Sequence, residues 1–407
     1  MLAYWVWFAQ NPNISGLQKR QLLEHFSDPE ELYFAREETL PEEKEAALPL
    51  LQKLTDRDLT QAQQIVKDCA KKKIRLLTYR DDAYPRRLRN IDDAPMVLYY
   101  RGTLPELDTV PVIGIVGTRK ATAYGLTAAK RISSQIAACG ALVLSGGAFG
   151  IDTAAMQGAL NSGCPTVGVL GCGVDVVYPR SNTALFEKVL ESGCLISEYP
   201  PGTQPLKWHF PQRNRIISGI CNGVLVVEAP QRSGALITAR LAFEQGRDVF
   251  VVPGNIDNPS SEGSNALLQE RASAVFSGWD VVREYTAQYP GKLRRQEPVP
   301  CQDAPEPPKN DVKSPSAHTK STKNEKMQKK AIDKAEPSPY SGIKDTLSAL
   351  GETERAIAQC LTEEPRPVDE IVALTGFTTG RVLSTLTMLA LKGVAVNHPG
   401  NRVSLKK

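Results

Sequence analysis

The sequence is short of most features that mark a catalytic, metal-binding or membrane protein. Its 407 residues include eight cysteines, but no Cys-x-x-Cys pair, zinc-type Cys/His spacing or disulfide-like framework is among them. Most sit in apolar runs, as Cys139, Cys164 and Cys221 do, and read as small core residues of a reducing compartment. The four histidines, His25, His209, His318 and His398, are scattered and form no sequence pair. No Gly-x-x-x-x-Gly-Lys-Ser/Thr occurs, which argues against a P-loop nucleotidase. The first α/β turn lacks Gly-x-Gly-x-x-Gly; Gly171-Cys172-Gly173 supplies two glycines, but Val176 stands where the third belongs, so a dinucleotide enzyme is not expected. Ser145 lacks a Gly-x-Ser-x-Gly elbow and reads as a turn former. No stretch approaches the roughly 20 apolar residues of a membrane span. The apolar opening Leu2 to Phe8 has no basic flank and is cut short by Gln10 and Asn11. These absences predict a cytoplasmic protein without metal or cofactor.

What is present looks globular. Hydrophobic residues make up 41% and charged residues 23%, ordinary values for a soluble fold, and the length suggests two or three domains. The net charge of +4 permits nucleic acid without demanding it, so local clusters must decide.

Residues 1–80 show helical patterning with polar breaks and predict a small α domain. The basic run Lys71-Lys72-Lys73 there is either a DNA contact or a solvated helix end. Tyr84-Pro85 and Ala94 to Tyr100 lead extended chain into the next domain, with the prolines biasing their neighbours toward β geometry. Across 81–287 strands and helices alternate, which predicts a mostly parallel sheet covered on both faces. Its candidate strands are 112–116, 141–144, 166–170, 194–196, 224–228 and 249–252. Residues 288–342 are rich in Pro, Lys, Ser, Glu and Gln and predict a disordered linker. In 343–407, helices over 352–361, 368–374 and 379–391, then strands 394–396 and 402–405 around a Pro399-Gly400-Asn401 turn, predict a winged helix.

The chemistry concentrates in the turns of the α/β region. Val112-Ile113-Gly114-Ile115-Val116 reads as a strand buried on both faces, and Gly117-Thr118-Arg119 follows at once, ahead of a helix. Ala141 to Leu144, then Ser145-Gly146-Gly147-Ala148, repeat the plan. Unpaired N–H groups at helix starts, approached closely through glycine, make an anion cradle, and Arg119 is placed to grip a phosphate bidentately. Gln231-Arg232-Ser233-Gly234, after Val226-Val227-Glu228, is a third such turn. Each alone is also what any strand-to-helix connection needs; three on one rim favour a phosphate site, whether for a nucleotide or a polymer.

Lys207-Trp208-His209-Phe210-Pro211-Gln212-Arg213-Asn214-Arg215 bears on that choice, since it interleaves three cations with two aromatics. Rings for bases beside cations for phosphates suit an unpaired strand. The structural alternative is that the rings anchor the loop while Arg213 and Arg215 form ion pairs. Asp152 most simply favours the positive end of the helix it opens, and Glu228 and Asp257 can be ribose or metal ligands or merely structural carboxylates.

Taken together, GIVGTRKATAYG (114–125), SGGAFGID (145–152), GCGVDVVYPR (171–180), FPQRNRIISG (210–219) and SGALITA (233–239) resemble the successive motifs of the DNA-processing protein A family, DprA or Smf. The agreement covers roughly residues 80–285; the two ends match only in layout. The resemblance implies a bacterial protein that binds single-stranded DNA during natural transformation, shields it from nucleases and helps load the RecA recombinase. It also implies an extended Rossmann-like domain that dimerises, a SAM-like helical domain before it and a winged helix after it. The family's strand-binding positions fall on Arg119, Lys207 and Phe210, with Arg213, Asn214, Arg232, Ser233 and Gly234 in the same pocket. With the first two turns, the candidate DNA-binding set becomes Gly117, Thr118, Arg119, Ser145, Gly146, Gly147, Lys207, Phe210, Arg213, Asn214, Arg232, Ser233 and Gly234, with no catalytic residue. Two departures stand out: Arg271 replaces a usual glycine, and Ala235 a common serine. An enzymatic alternative is a nucleotide-ribose hydrolase of the related lysine-decarboxylase-like group, but its Pro-Gly-Gly-x-Gly-Thr-x-x-Glu turn is absent from the aligned Ala229 to Ala235.

Overall fold

The computed structural model describes residues 1–295, 352–362, 364–377, 379–391, 394–398 and 402–405, which belong to two compact units, Met1–Glu306 and Pro307–Lys407. The part of the predicted 288–342 linker from 296 onward and the Pro399-Gly400-Asn401 turn lie outside the described residues.

The first unit is built on a sheet of nine strands: β1 (Arg75–Thr78), β2 (Val97–Gly102), β3 (Val112–Val116), β4 (Leu142–Ser145), β5 (Thr166–Val169), β6 (Cys194–Ser197), β7 (Gly223–Val226), β8 (Asp248–Val251) and β9 (Ser273–Ala274). Their spatial order is β1-β2-β6-β5-β4-β3-β7-β8-β9. From β6 to β9 every pairing is parallel, while β2 runs antiparallel to β6 and β1 antiparallel to β2. The six predicted strands are all present, with ends shifted by a residue or two. The chain preceding them does more than lead in, because β1 and β2 extend the sheet by two antiparallel strands. No pattern of alternation marks Arg75–Thr78 as a strand; pairing with the aromatic, β-branched β2 makes it one.

The β-branched strands are buried on both sides because alternate side chains enter different cores. Val112, Val116, Leu142, Leu144, Val224 and Val226 pack toward α10 (His209–Ile220) and α11 (Gly234–Glu244). Ile113, Ile115, Val143 and Leu225 pack toward α7 (Ala123–Ala138), α8 (Ile151–Asn161) and α13 (Gly278–Val282). The remaining helices of the unit are α1 (Leu2–Gln10), α2 (Gly16–His25), α3 (Pro29–Phe34), α4 (Leu48–Leu51), α5 (Thr60–Lys71), α6 (Arg86–Arg89), α9 (Thr183–Ser192) and α12 (Glu262–Glu270). The N-terminal helices are continuous with the first core, where Trp5, Phe8, Leu22 and Leu32 join sheet residues such as Leu98 and Ile196. Ion pairs fasten the same contact: Lys72 Nζ meets Asp175 Oδ2 at 2.6 Å, which gives that lysine of the basic run a structural partner.

In the second unit, helices Glu352–Gln359, Val368–Thr375 and Thr379–Leu391 surround a small sheet of β10 (Arg366–Pro367), β11 (Ala395–His398) and β12 (Arg402–Leu405) in the order β10-β12-β11. Ile357, Ile371, Val382 and Leu389 fill its core. No helix among the described residues is long and apolar enough to cross a membrane.

Tyr84, fully buried in the connection from β1 to β2, donates its hydroxyl to the Pro95 carbonyl at 2.8 Å. Phenylalanine fills the same space but leaves that carbonyl without its partner. Tyr84→Phe is therefore expected to lower stability by about 1–2 kcal/mol in urea unfolding, with an unchanged m-value.

Candidate nucleic-acid interface

The strand order places the site. From β3 the chain moves outward through β4, β5 and β6, then returns by α10 to the other side of β3 with β7. The turns after β3 and β7 therefore open beside each other at the point where the order reverses, the usual ligand crevice of an open α/β sheet. Thr118 N donates to Glu228 O at 2.7 Å and holds the two turns together.

A cleft of about 620 Å³ opens there. Gly117, Thr118 and Arg119 form one wall; Lys207, Phe210, Arg213 and Asn214 come from the start of α10; Arg232, Ser233 and Gly234 come from the start of α11. The first turns of two helices thus face the same space, adding partial positive charge to that of the side chains. Arg119, Lys207 and Arg232 are exposed, and among the described residues none of the three has an acidic partner within ion-pair distance. The Arg119 guanidinium lies over the Phe210 ring, 4.9 Å from its centroid. Asn214 Nδ2 donates to Gly234 O at 3.3 Å and ties α10 to the α11 turn. Ser233 caps α11 by accepting from Ala235 N, and the Ala235 methyl is buried in the cleft wall.

Arg213 differs from the other cations. It is buried, with Nη1 donating to Gly146 O at 2.6 Å and also to Val169 O, so it ties the ends of β4 and β5 to α10. Asp152 is buried beside it; burial pushes this carboxyl above its ordinary range, and the Arg213 guanidinium pulls it back. A Cβ at Gly146 would come within 2.6 Å of both Arg213 Nη1 and Asp152 Oδ2, so only glycine leaves the pair its space.

The second predicted turn has a supporting position. Ser145, Gly146 and Gly147 are buried and are not part of the cleft wall. Ser145 Oγ donates to Ile115 O at 2.7 Å, joining β4 to β3, and Gly147 O accepts from Asn182 Nδ2 at 3.1 Å. Arg215 points away and pairs with Glu198 at 2.7 Å and Asp93 at 2.9 Å, which is the structural alternative. Trp208 is 61% exposed and lies outside the cleft wall. Glu228 is fully buried, accepting from Thr122 Oγ1 and Thr122 N at 2.8 Å each, so it organises the start of α7. Tyr178 lines the cleft, its ring 5.5 Å from that of Phe210. Sequence reasoning passed over it, although an aromatic just before Pro179 at the end of a strand-end loop was a usable signal. Arg271 ends α12 at φ −144°, backbone that does not require glycine. Among the described residues no three His, Cys, Asp or Glu side chains converge as metal ligands would.

Residues 75–286 match the family of DNA recombination-mediator protein A, and residues 344–401 the DprA winged helix domain. The DNA processing protein DprA of Streptococcus pneumoniae is 45% identical over 205 residues, which is 50% of this chain and 72% of that protein. Protein Smf of Synechocystis sp. is 31% identical over 404 residues, 98% of either chain. The X-ray structure of the Streptococcus pneumoniae DprA superposes with a TM-score of 0.59 at 36% identity, covering 70% of this chain and 98% of that one.

The two arginines of the cleft should separate by their failure modes. Arg213→Ala removes the donor to two buried carbonyls and the buried cation beside Asp152, leaving that carboxyl to its backbone partners such as Ala148 N, and is expected to cost about 3–5 kcal/mol of stability. Arg119→Ala, at an exposed position, is expected to leave the melting temperature unchanged. Thermal unfolding of the two variants checks both.

Proposed function

The chain belongs to the DNA recombination-mediator protein A family, DprA or Smf, and from that premise we propose that it binds single-stranded DNA in the cleft at the β3–β7 crevice. The observation that carries this is the Arg119 guanidinium poised over the half-buried Phe210 ring, in a cleft whose exposed charges are all positive. A phosphate meets exposed cations and helix starts, while a base meets an aromatic face. The ring sits in a concavity, and only a base released from pairing reaches it, which favours single strands over duplex.

The protein acts as a binder rather than an enzyme. Glu228 is committed to Thr122, and Asp152 is buried beside Arg213. Among the described residues of the cleft no general acid and base stand free on either side of a bound sugar, as the nucleotide-ribose hydrolase alternative requires. The wider role follows from family likeness: shielding of incoming strands in natural transformation, loading of RecA, a homodimer formed through the Rossmann-like domain, and action in the cytoplasm. The domain limits proposed are a helical SAM-like region to residue 80, the DNA-binding domain to 287 and the winged helix from 343. The winged helix serves as an auxiliary or protein-contact module. Among the described residues its Arg381 is engaged by Thr353 Oγ1 at 2.9 Å and by the Phe377 ring at 5.0 Å.

Titration with short oligonucleotides, single and double stranded, at two salt concentrations tests the proposal. Arg119→Ala and Lys207→Ala are each expected to weaken single-strand binding for all sequences alike. Each should flatten the slope of log K against log salt by about 0.7. Parental affinity and slope in both variants would remove the central contacts. A chain ending at residue 295 is expected to keep its strand affinity; loss of that affinity would transfer the DNA site to the winged helix.

A further inference from the structure

We propose that the bound strand does not end at Arg119 but crosses it into a second groove, where Phe149 stacks a base and Lys120 and Lys130 hold phosphates. This rests on the cleft being a single-strand site. Arg119 lines both spaces and forms the ridge between them. The second groove, about 660 Å³, is walled by α7 and the turn into α8, and no Asp or Glu belongs to its wall. Lys120 and Lys130 are exposed, and among the described residues neither ammonium has an acidic partner within ion-pair distance.

Phe149 is 47% exposed, and among the described residues its ring stacks on no other. A lone exposed phenylalanine is commonplace. Here, however, it is held in fixed relation to Arg119. Gly150 has φ +76°, and a Cβ on it would stand 2.4 Å from Thr118 O, so the turn carrying Phe149 backs directly onto the turn carrying Arg119. Ile151 N donates to that same carbonyl at 3.3 Å. Ring, ridge and cleft form one continuous path in which aromatic faces alternate with cations, the pattern that lets a protein follow an unpaired strand without reading its sequence. A mononucleotide fills the cleft alone, whereas a polymer occupies both spaces. The groove thus makes affinity depend on strand length.

The test is fluorescence anisotropy of the full-length chain with oligothymidylates of about 4 and about 16 nucleotides, the range single-strand sites span. The parent is expected to bind the longer strand more tightly. Phe149→Ala should match the parent on the short strand and bind the long one about fivefold or more weakly. The Lys120→Ala/Lys130→Ala double variant should behave likewise, with its salt slope on the long strand flattened by about 1.4. Equal weakening at both lengths or no weakening on the long strand overturns the extended track while leaving the cleft intact. If the parent binds neither oligothymidylate, the cleft reading itself fails, and the track with it.

Discussion

A buried guanidinium holds the binding surface in shape. Arg213 reaches back from the second turn of α10 to the carbonyls at the ends of β4 and β5, with Asp152 beside it. An arginine out of water is costly to maintain unless it is compensated, and here two backbone carbonyls accept from Nη1 while the nearby Asp152 carboxylate adds electrostatic attraction. Because α10 is fixed at that end, Phe210, one turn away, has a defined place, and Arg119 has a ring to lie against. The exposed cations are free to meet a ligand because this hidden one has already settled the geometry.

The division between hidden and free charge is also the division between structure and function in the site. Glu228, Asp152, Arg213 and Arg215 spend their charge on protein partners. Arg119, Lys207 and Arg232 face the solvent of the cleft. The proposed role, binding without breaking bonds, is compatible with solvated and adaptable cations, since a flexible polyanion supplies its own conformational fit. A catalytic pair would need the opposite arrangement, with acid and base held at a set spacing.

Much of this was legible in the chain because the signals were local. A β-branched run followed by Gly117-Thr118-Arg119 specifies strand, turn and helix within a few residues, and the structure has β3 and α7 there. The wing and its helices were readable for the same reason. What the chain hid was non-local. Arg75–Thr78 is a strand only because Val97–Gly102 lies alongside it. Ser145, Gly146 and Gly147 look like a second phosphate cradle, yet the same glycine that would admit a ligand instead admits Arg213 and Asp152. Spacing cannot separate those outcomes, because the arginine comes from a helix more than sixty residues away. Tyr178 reaches the cleft by folding of the β5 loop, which no periodicity records.

The shared apolar core of the N-terminal helices and the sheet bears on how the chain is made. Trp5 and Phe8 belong to a helix that packs on α3 and α5 and meets the sheet at β2, whereas β3 lies against β7 and β7 against β8. The helical region and its edge strands can therefore begin to shield one another once Val97–Gly102 has left the ribosome. The central sheet stays incomplete until β7 and β8 follow, more than a hundred residues later, and it is this half that should lean on chaperones.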